Sequence, residues 1–193
     1  MSIVPRILAF AGSTRKESYN KKLVQIAAAS ATKAGADVEF IDLKNFPLPL
    51  FDEDLEKESG IPENVLALKK LFIAADGFLI ASPEYNSSIT AVLKNTIDWL
   101  TRPAPGETPL AAFMGKSAAL MAASPGGLGG LRGLVHIRAI LGNIGVLVLP
   151  DQVAVAKAYE VFSPDGSLKD PKQHASIEML GTQLASVVGK LKG

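Results

Sequence analysis

The chain contains no cysteine, and this absence excludes several types of structural and catalytic site. It excludes a disulfide framework, a thiol redox centre, a thiolate zinc site and a cysteine nucleophile. His136 and His174 are the only histidines, and neither has a nearby carboxylate pattern typical of a metal site. We therefore predict no bound metal. Any redox chemistry would require an organic cofactor.

The chain also lacks a strong net charge and long hydrophobic runs. Twenty basic and nineteen acidic residues leave a net charge of +1, which gives no field to attract nucleic acid or an anionic membrane surface. No apolar run approaches the roughly 20 residues that span a bilayer, and the N-terminus has no basic-then-apolar signal pattern. We expect a cytoplasmic protein with neither nucleic-acid nor membrane partners.

Five short apolar runs alternate with segments of helical periodicity. Runs this continuously apolar are typical of strands that are buried on both faces of a parallel sheet. The predicted strands span residues 7–11, 38–43, 78–81, 118–123 and 146–149. The predicted helices follow them in turn, with apolar stripes over residues 23–34, 61–75, 89–100, 131–144 and 177–191.

This strict alternation predicts a flavodoxin-like three-layer α/β sandwich, with a five-stranded parallel sheet of order 2-1-3-4-5 and helices on both faces. The length fits one core, so we expect a single domain over residues 1–193. In this order the carboxyl ends of strands 1, 3 and 4 lie side by side, and a ligand crevice should open there. Residues 45–60 and 154–171 look irregular, and the acidic run Asp52–Asp54 is expected to be solvated loop.

The segment between the first strand and the first helix is rich in hydrogen-bond donors. It offers the hydroxyls of Ser13, Thr14 and Ser18, the amide of Asn20 and the guanidinium of Arg15 beside a helix N-terminus, which favours anions. With a single glycine it is neither a dinucleotide fingerprint nor a Walker loop, and one terminal phosphate fits it better. The alternative is an ordinary helix cap, which needs fewer donors.

Two further loops follow the third and fourth strands. Pro83 turns the chain so that the N–H groups of residues 84–87 can face one side, with Tyr85 as an aromatic wall for a planar heterocycle. The alternative is a proline turn in which Ser87 or Ser88 caps the third helix. The loop after the fourth strand has four glycines in five residues, whereas a simple turn needs one or two, so we interpret it as backbone that approaches a flat ligand. These glycines are Gly126, Gly127, Gly129 and Gly130.

The fourth predicted helix is apolar nearly all round, although contact with a sheet needs only one stripe. The excess predicts a subunit interface, and a helix buried under loops would have the same pattern. Its apolar residues are Leu131, Leu134, Val135, Ile137, Ile140, Leu141 and Ile144.

Taken together, these motifs resemble those of the NADPH-dependent FMN reductases of the flavodoxin-like superfamily, which include quinone and chromate reductases. The resemblance covers essentially the whole chain, and its most specific part is the pair formed by Gly12–Arg15 and Pro83–Asn86. The other matching segments are Leu93–Asn95, Asp98–Trp99, Ser124–Gly130, Pro47–Leu50 and Asp165–Gly166.

The resemblance implies which residues bind FMN, and it implies a homodimer or homotetramer with the flavin near the subunit interface. The FMN phosphate would be held by Ser13, Arg15, Ser18, Tyr19 and Asn20. The isoalloxazine ring would be lined by Pro83, Glu84, Tyr85 and Asn86. The pyrimidine edge would be bordered by Ser124, Pro125, Gly126 and Gly127.

The expected activity is hydride transfer from NAD(P)H to FMN, followed by reduction of a small-molecule acceptor: a quinone, free flavin, an azo dye or a metal oxyanion. Hydride transfer to flavin requires no protein acid or base, so no catalytic side chain is assigned. The alternatives are a flavodoxin-type electron carrier without a nicotinamide site and a non-catalytic flavin-binding protein. Flavodoxin-type carriers are typically strongly acidic and lack an arginine in the phosphate loop. Arg15 and the net charge of +1 therefore argue against this alternative. Only an assay of turnover distinguishes a non-catalytic flavin-binding protein from an enzyme.

Overall fold

The computed structural model describes residues 4–193, in which five parallel strands form one sheet of order β2-β1-β3-β4-β5. The strands are β1 (Arg6–Ala11), β2 (Asp37–Ile41), β3 (Gly77–Ala81), β4 (Ser117–Ala123) and β5 (Leu147–Val155). The helices are α1 (Tyr19–Lys33), α2 (Glu53–Ser59), α3 (Glu63–Ala74), α4 (Ala91–Thr101), α5 (Leu131–Asn143), α6 (Ala158–Val161) and α7 (Pro171–Lys192). The predicted strand order and flavodoxin-like architecture are confirmed.

Helices cover both faces of the sheet. Alternate residues of a strand point to opposite faces, so each face contributes its own side chains to a hydrophobic core. Every residue of β3 and β4 is buried, which explains why these strands are continuously apolar in sequence. One face packs on α1 and α7 through Ile7, Ala9, Leu79, Ala81, Ala119 and Met121. The other face packs on α3, α4 and α5 through Leu8, Phe10, Phe78, Ile80, Ala118 and Leu120.

Two short helices, α2 and α6, lie in stretches that the sequence pattern assigned as irregular. The carboxylate of Asp52 caps α2 by accepting a hydrogen bond from the N–H of Asp54 at 2.8 Å. Acidic side chains in the first turn of α2 are also favourable next to the positive end of the helix dipole. The expectation that Asp52–Asp54 is loop was therefore wrong, since Glu53 and Asp54 begin a helix, although their side chains are exposed.

Strand β5 continues well beyond the predicted run 146–149. Its pairing with β4 shifts register between Val148 and Gln152, so the strand bulges around Pro150. The Arg138 guanidinium, on α5, donates to the carbonyl oxygens of Val148 at 3.4 Å and Pro150 at 3.2 Å and to the side-chain oxygen of Gln152 at 3.0 Å. Proline is tolerated at this position because β5 is an edge strand and Pro150 lies at a bulge, where a side chain from α5 satisfies the carbonyl acceptors.

Helices α1 and α7 are in close contact at Gly181. A Cβ atom there would lie 2.0 Å from the carbonyl oxygen of Ala27 and 2.3 Å from Oγ of Ser30. The Ser30 hydroxyl also donates to the carbonyl oxygen of Glu178, at 2.6 Å, on the facing helix. This contact fixes α1 against α7 on the same face of the sheet.

We expect Gly181→Ala to destabilise the protein by about 3 kcal/mol, because the new methyl group overlaps backbone that cannot move away. The matched control is Gly189→Ala in the same helix, where the nearest atom to a new Cβ is Cγ of Pro5 at 3.6 Å. That change should be neutral or should stabilise by about 0.5–1 kcal/mol, since alanine favours a helix over glycine. Denaturant unfolding measures both, and equal effects of the two substitutions would contradict the close α1–α7 contact.

Candidate functional site at the carboxyl edge of the sheet

A cleft of about 330 Å³ opens at the carboxyl ends of β1, β3 and β4, where the strand order predicts a ligand crevice. It is lined by residues of all three predicted loops, namely Ser13, Arg15, Ser18, Tyr19, Asn20, Pro83, Glu84, Tyr85, Ala123, Ser124 and Pro125. Ala123 is an addition to the predicted set. The remaining predicted residues, Asn86, Gly126 and Gly127, do not line this cleft.

The loop between β1 and α1 is anchored to β3 and α4. The N–H of Gly12 donates to the carbonyl oxygen of Ala81 at 2.9 Å, and its own carbonyl accepts a hydrogen bond from the Thr90 hydroxyl at 2.7 Å. Thr90 also caps α4 by accepting from the N–H of Leu93 at 3.2 Å. A Cβ at Gly12 would lie 2.9 Å from the Leu93 side chain, so only glycine lets the loop lie this close to α4.

The amino-terminal turn of α1 lines the cleft and contains no negatively charged side chain. Its N-cap residue is Ser18, whose side chain makes no capping hydrogen bond, and the first turn contains no acidic residue. The N–H groups of a first helical turn lack partners within the helix and carry partial positive charge. This turn is therefore suited to bind an anionic group.

Arg15 lies exposed at the mouth of the cleft. Its guanidinium is 5.3 Å from the centre of the Tyr19 ring, and that ring stacks on Phe162 at 5.7 Å with an interplanar angle of 13°. Within residues 4–193, no carboxylate lies at ion-pair distance from this guanidinium. Its charge is therefore available to a ligand. No sequence motif pointed to Phe162, which comes from the segment after α6.

The side chain of Asn20 is already engaged within the protein. Its Oδ1 accepts a hydrogen bond from the N–H of Ala123 at 2.9 Å, and its Nδ2 donates to the carbonyl oxygen of Ala123 at 2.8 Å. The residue is buried. Its place beside the cleft agrees with the predicted position, but its carboxamide pairs with the last residue of β4.

The loop after β3 forms a tight turn. The N–H of Tyr85 donates to the carbonyl oxygen of Ser88 at 2.9 Å, and the reverse bond is 3.1 Å. Asn86 and Ser87, with φ of 51° and 68°, occupy the left-handed region that a type I′ turn requires. The prediction that four successive N–H groups face a ligand was therefore wrong for Tyr85. The capping alternative was also wrong, because Thr90 caps α4.

Glu84 joins this turn to α5. Its carboxylate accepts hydrogen bonds from the N–H of Gly133 at 3.0 Å and from Nη2 of Arg132 at 2.8 Å, and its side chain is only 8% exposed. Burial by itself raises the pKa of Glu84, but the bonds from Gly133 and Arg132 lower it, and the resulting pKa is below the ordinary value of 4.5. Glu84 thus borders the cleft while its charge is directed to the start of α5.

Two of the four glycines in the loop after β4 are required by packing. Gly129 and Gly130 have φ of 64° and 95°, and a Cβ on either would lie 2.7 Å from an atom of a neighbouring segment. Gly126 and Gly127 are exposed and have no such close contact. The glycine-rich composition is therefore explained in part by contacts within the chain.

In the part of the chain that the structure describes, no group of three or more histidine and carboxylate side chains could hold a metal ion. The same residues include no helix that is long and apolar enough to cross a membrane.

Comparisons with known proteins identify similar sequences over most of the chain. The family model of NADPH-dependent FMN reductase matches residues 5–160. An NAD(P)H-dependent FMN reductase of Pseudomonas aeruginosa is 35% identical over 189 residues, which cover 97% of each chain. An NADPH:quinone oxidoreductase of Arabidopsis thaliana is 40% identical over 194 residues, which cover 97% of this chain and 94% of that protein.

Solved structures agree with the sequence comparisons. FerB, a flavoenzyme NAD(P)H:(acceptor) oxidoreductase from Paracoccus denitrificans, superposes with a TM-score of 0.80 at 30% identity, covering 97% of this chain and 98% of FerB. An archaeal flavodoxin shares the fold at 12% identity with a TM-score of 0.60, covering 95% of this chain and 98% of the flavodoxin.

We expect Glu84→Gln to lower the stability of the protein by about 1–2 kcal/mol at pH 7, because a neutral amide accepts hydrogen bonds from Arg132 and Gly133 less strongly. Since the folded-state pKa of Glu84 is lowered, its ionisation stabilises the fold above the unfolded-state pKa, and this stabilisation is lost as the pH falls through the folded-state value. The difference between parent and variant should therefore shrink in acid.

Urea unfolding at several pH values between 7 and 3 measures this difference. The control is Glu39→Gln, since Glu39 is exposed on the edge strand β2 and should contribute little. A stability difference for Glu84→Gln that is independent of pH would contradict the assigned role of the carboxylate.

Proposed function

Because the chain belongs to the NADPH-dependent FMN reductase family, we propose that it binds FMN in the cleft at the carboxyl edge of its sheet. The family match and the relatives establish the protein as an FMN-dependent oxidoreductase that uses NAD(P)H. The location of the flavin and the roles of the individual residues are the proposal.

The observation that carries this proposal is the unpartnered cationic end of α1. Its first turn has no acidic residue and no side-chain cap, and Arg15 beside it has no carboxylate partner within residues 4–193. Ser13 and Ser18 add hydroxyl donors from the same wall of the cleft. A phosphate group matches this set, since it is dianionic and presents several acceptor oxygens. Tyr19 supports the Arg15 side chain by stacking beneath it.

The remaining walls suit a flat ring. Pro83 and Tyr85 lie on one side and Ser124 and Pro125 on another, with the Tyr85 side chain 59% exposed. Bound FMN supplies the hydride acceptor, which this chain's side chains cannot replace. The N–H groups of Asn86 and Gly127 have no partner within residues 4–193 and belong to these two loops, although neither residue lines the cleft. They would stabilise negative charge at the pyrimidine edge of the ring. No acid or base is assigned.

We propose a quinone as the electron acceptor, because several relatives are named as quinone reductases. Free flavin, azo dyes and metal oxyanions are the other acceptors to be compared. A flavodoxin-type carrier is not favoured, given the family match, Arg15 and the net charge of +1. We further propose that residues 1–193 act as one FMN-binding domain in the cytoplasm.

The test of this function is an anaerobic mixture of the purified protein, FMN and NADPH, with a quinone added second. Bound FMN should bleach on addition of NADPH, and the quinone should restore the flavin absorbance. NADPH that leaves the flavin oxidised would contradict the reductase assignment. A flavin that NADPH reduces but that the quinone does not reoxidise would contradict the acceptor proposal alone.

The charge on Arg15 gives a sharper prediction. A charge-assisted hydrogen bond to phosphate contributes roughly 1.5 to 3 kcal/mol, so Arg15→Ala should weaken FMN binding by about one to two orders of magnitude. Riboflavin affinity should hardly change, because riboflavin has no phosphate. Excess FMN should largely restore turnover. The control is Lys16→Ala, which removes a neighbouring exposed charge that solvent screens. Equal losses for FMN and riboflavin would place the phosphate elsewhere.

We also propose a homodimer or homotetramer formed through α5. Leu131 and Val135 are 44% and 57% exposed on this helix, and Leu128, just before it, is 52% exposed. Light scattering at micromolar protein should give at least twice the chain mass of 20.3 kDa. Val135→Lys should lower that mass, whereas Met179→Lys, on the exposed face of α7 across the sheet, should not. A monomeric parent protein would contradict this interface.

A further inference from the structure

The pairing between β3 and β4 ends before β4 does. Its last backbone bond runs from the N–H of Ser82 to the carbonyl oxygen of Met121 at 2.9 Å. The next residue, Pro83, has no N–H and turns the chain away. Ala123 lies two residues beyond Met121 on β4. Its N–H and carbonyl groups face the side of β3, but β3 offers them no partner.

Asn20 supplies the missing partner. A carboxamide carries one acceptor oxygen and an N–H donor, as a peptide group does. Oδ1 of Asn20 accepts from the Ala123 N–H at 2.9 Å, and Nδ2 donates to the Ala123 oxygen at 2.8 Å. On the other side of β4, the N–H of Ser124 donates to the carbonyl oxygen of Val155 at 3.0 Å. The Asn20 side chain thus continues the ladder by one residue, although it comes from α1.

This pair joins two walls of the cleft. Asn20 is the second residue of α1 and lies in the turn proposed to bind phosphate. Ala123 directly precedes Ser124 and Pro125, which form the wall proposed to face the flavin ring. Because both Asn20 and Ala123 are 3% exposed, water cannot easily replace the two bonds.

We propose that Asn20 is a positioning residue: its side chain sets the distance between the phosphate-binding turn and the ring-binding wall, and does not itself contact the phosphate. This inference rests on the proposed FMN site. It predicts an effect on the whole flavin, whereas a phosphate ligand would affect FMN alone.

The first experiment is fluorescence titration of Asn20→Ala with FMN and with riboflavin. Both affinities should fall by a similar factor of about ten, so that their ratio stays close to that of the parent protein. Arg15→Ala is the matched comparison, because it should change the ratio. Loss of FMN affinity with unchanged riboflavin affinity would overturn the proposal and make Asn20 a phosphate ligand. Unchanged affinity for both flavins would overturn it as well.

A second variant separates positioning from loss of the fold. In Asn20→Asp, an ionised carboxylate can accept from the Ala123 N–H but cannot donate to its carbonyl, whereas a protonated carboxyl group can do both. Riboflavin affinity of this variant should therefore recover between pH 7 and pH 5, since burial raises the pKa of a carboxyl group. The parent protein should change little over this range. A variant that binds riboflavin weakly at every pH, or as tightly as the parent at pH 7, would contradict the proposal.

Amide hydrogen exchange gives a readout that does not depend on flavin. The Ala123 amide should be protected in the flavin-free parent and should exchange faster in Asn20→Ala, while the Ser124 amide, which pairs with Val155, stays protected. Equal protection of the Ala123 amide in both proteins would refute the pairing. If the parent protein binds neither flavin, the proposed function fails, and the exchange result still decides whether Asn20 holds the end of β4.

Discussion

The amino-terminal turn of α1 is the feature on which the rest of the site depends. It presents the N–H groups of Tyr19 and Asn20, which have no partner within residues 4–193, and a positive dipole end at the carboxyl edge of the sheet, and its first turn contains no acidic residue. The loop before this turn and the later part of α1 are each held by a close contact. Gly12 bonds to Ala81 and Thr90 on the side of β3 and α4, and Gly181 lets α7 lie directly against α1 on the other side. This arrangement favours the binding of an anionic group at the turn.

Side chains from distant segments hold the other walls of the cleft. Asn20 pairs with the end of β4, and Glu84 pairs with the start of α5, so two polar residues next to the cleft are used mainly within the protein. Ser13, Ser18 and Arg15 remain as side-chain donors on the wall formed by the β1–α1 loop and the start of α1. A preorganised cleft of this kind loses less conformational freedom when it binds a flat, charged cofactor.

The sheet and the loops were predictable from sequence because their signals are local. Buried parallel strands read as continuous apolar runs, and Gly12, Pro83 and the glycine-rich segment punctuate the chain where strands end. The roles of Asn20 and Glu84 were not predictable, since their partners Ala123 and Gly133 lie far away in sequence and bind through backbone atoms that carry no sequence signal. The extension of β5 was missed for a similar reason, because an arginine from α5 binds the carbonyl oxygen of Pro150 at the bulge.

The central claim is that the phosphate of FMN binds at the amino-terminal turn of α1. A crystal structure of the protein with FMN tests it most directly. We expect a phosphate oxygen at hydrogen-bond distance, about 3 Å, from the Arg15 guanidinium and from N–H groups of that turn, with the ring between the loops after β3 and β4. A phosphate bound away from α1, or a ring that occupies this turn in its place, would contradict the claim.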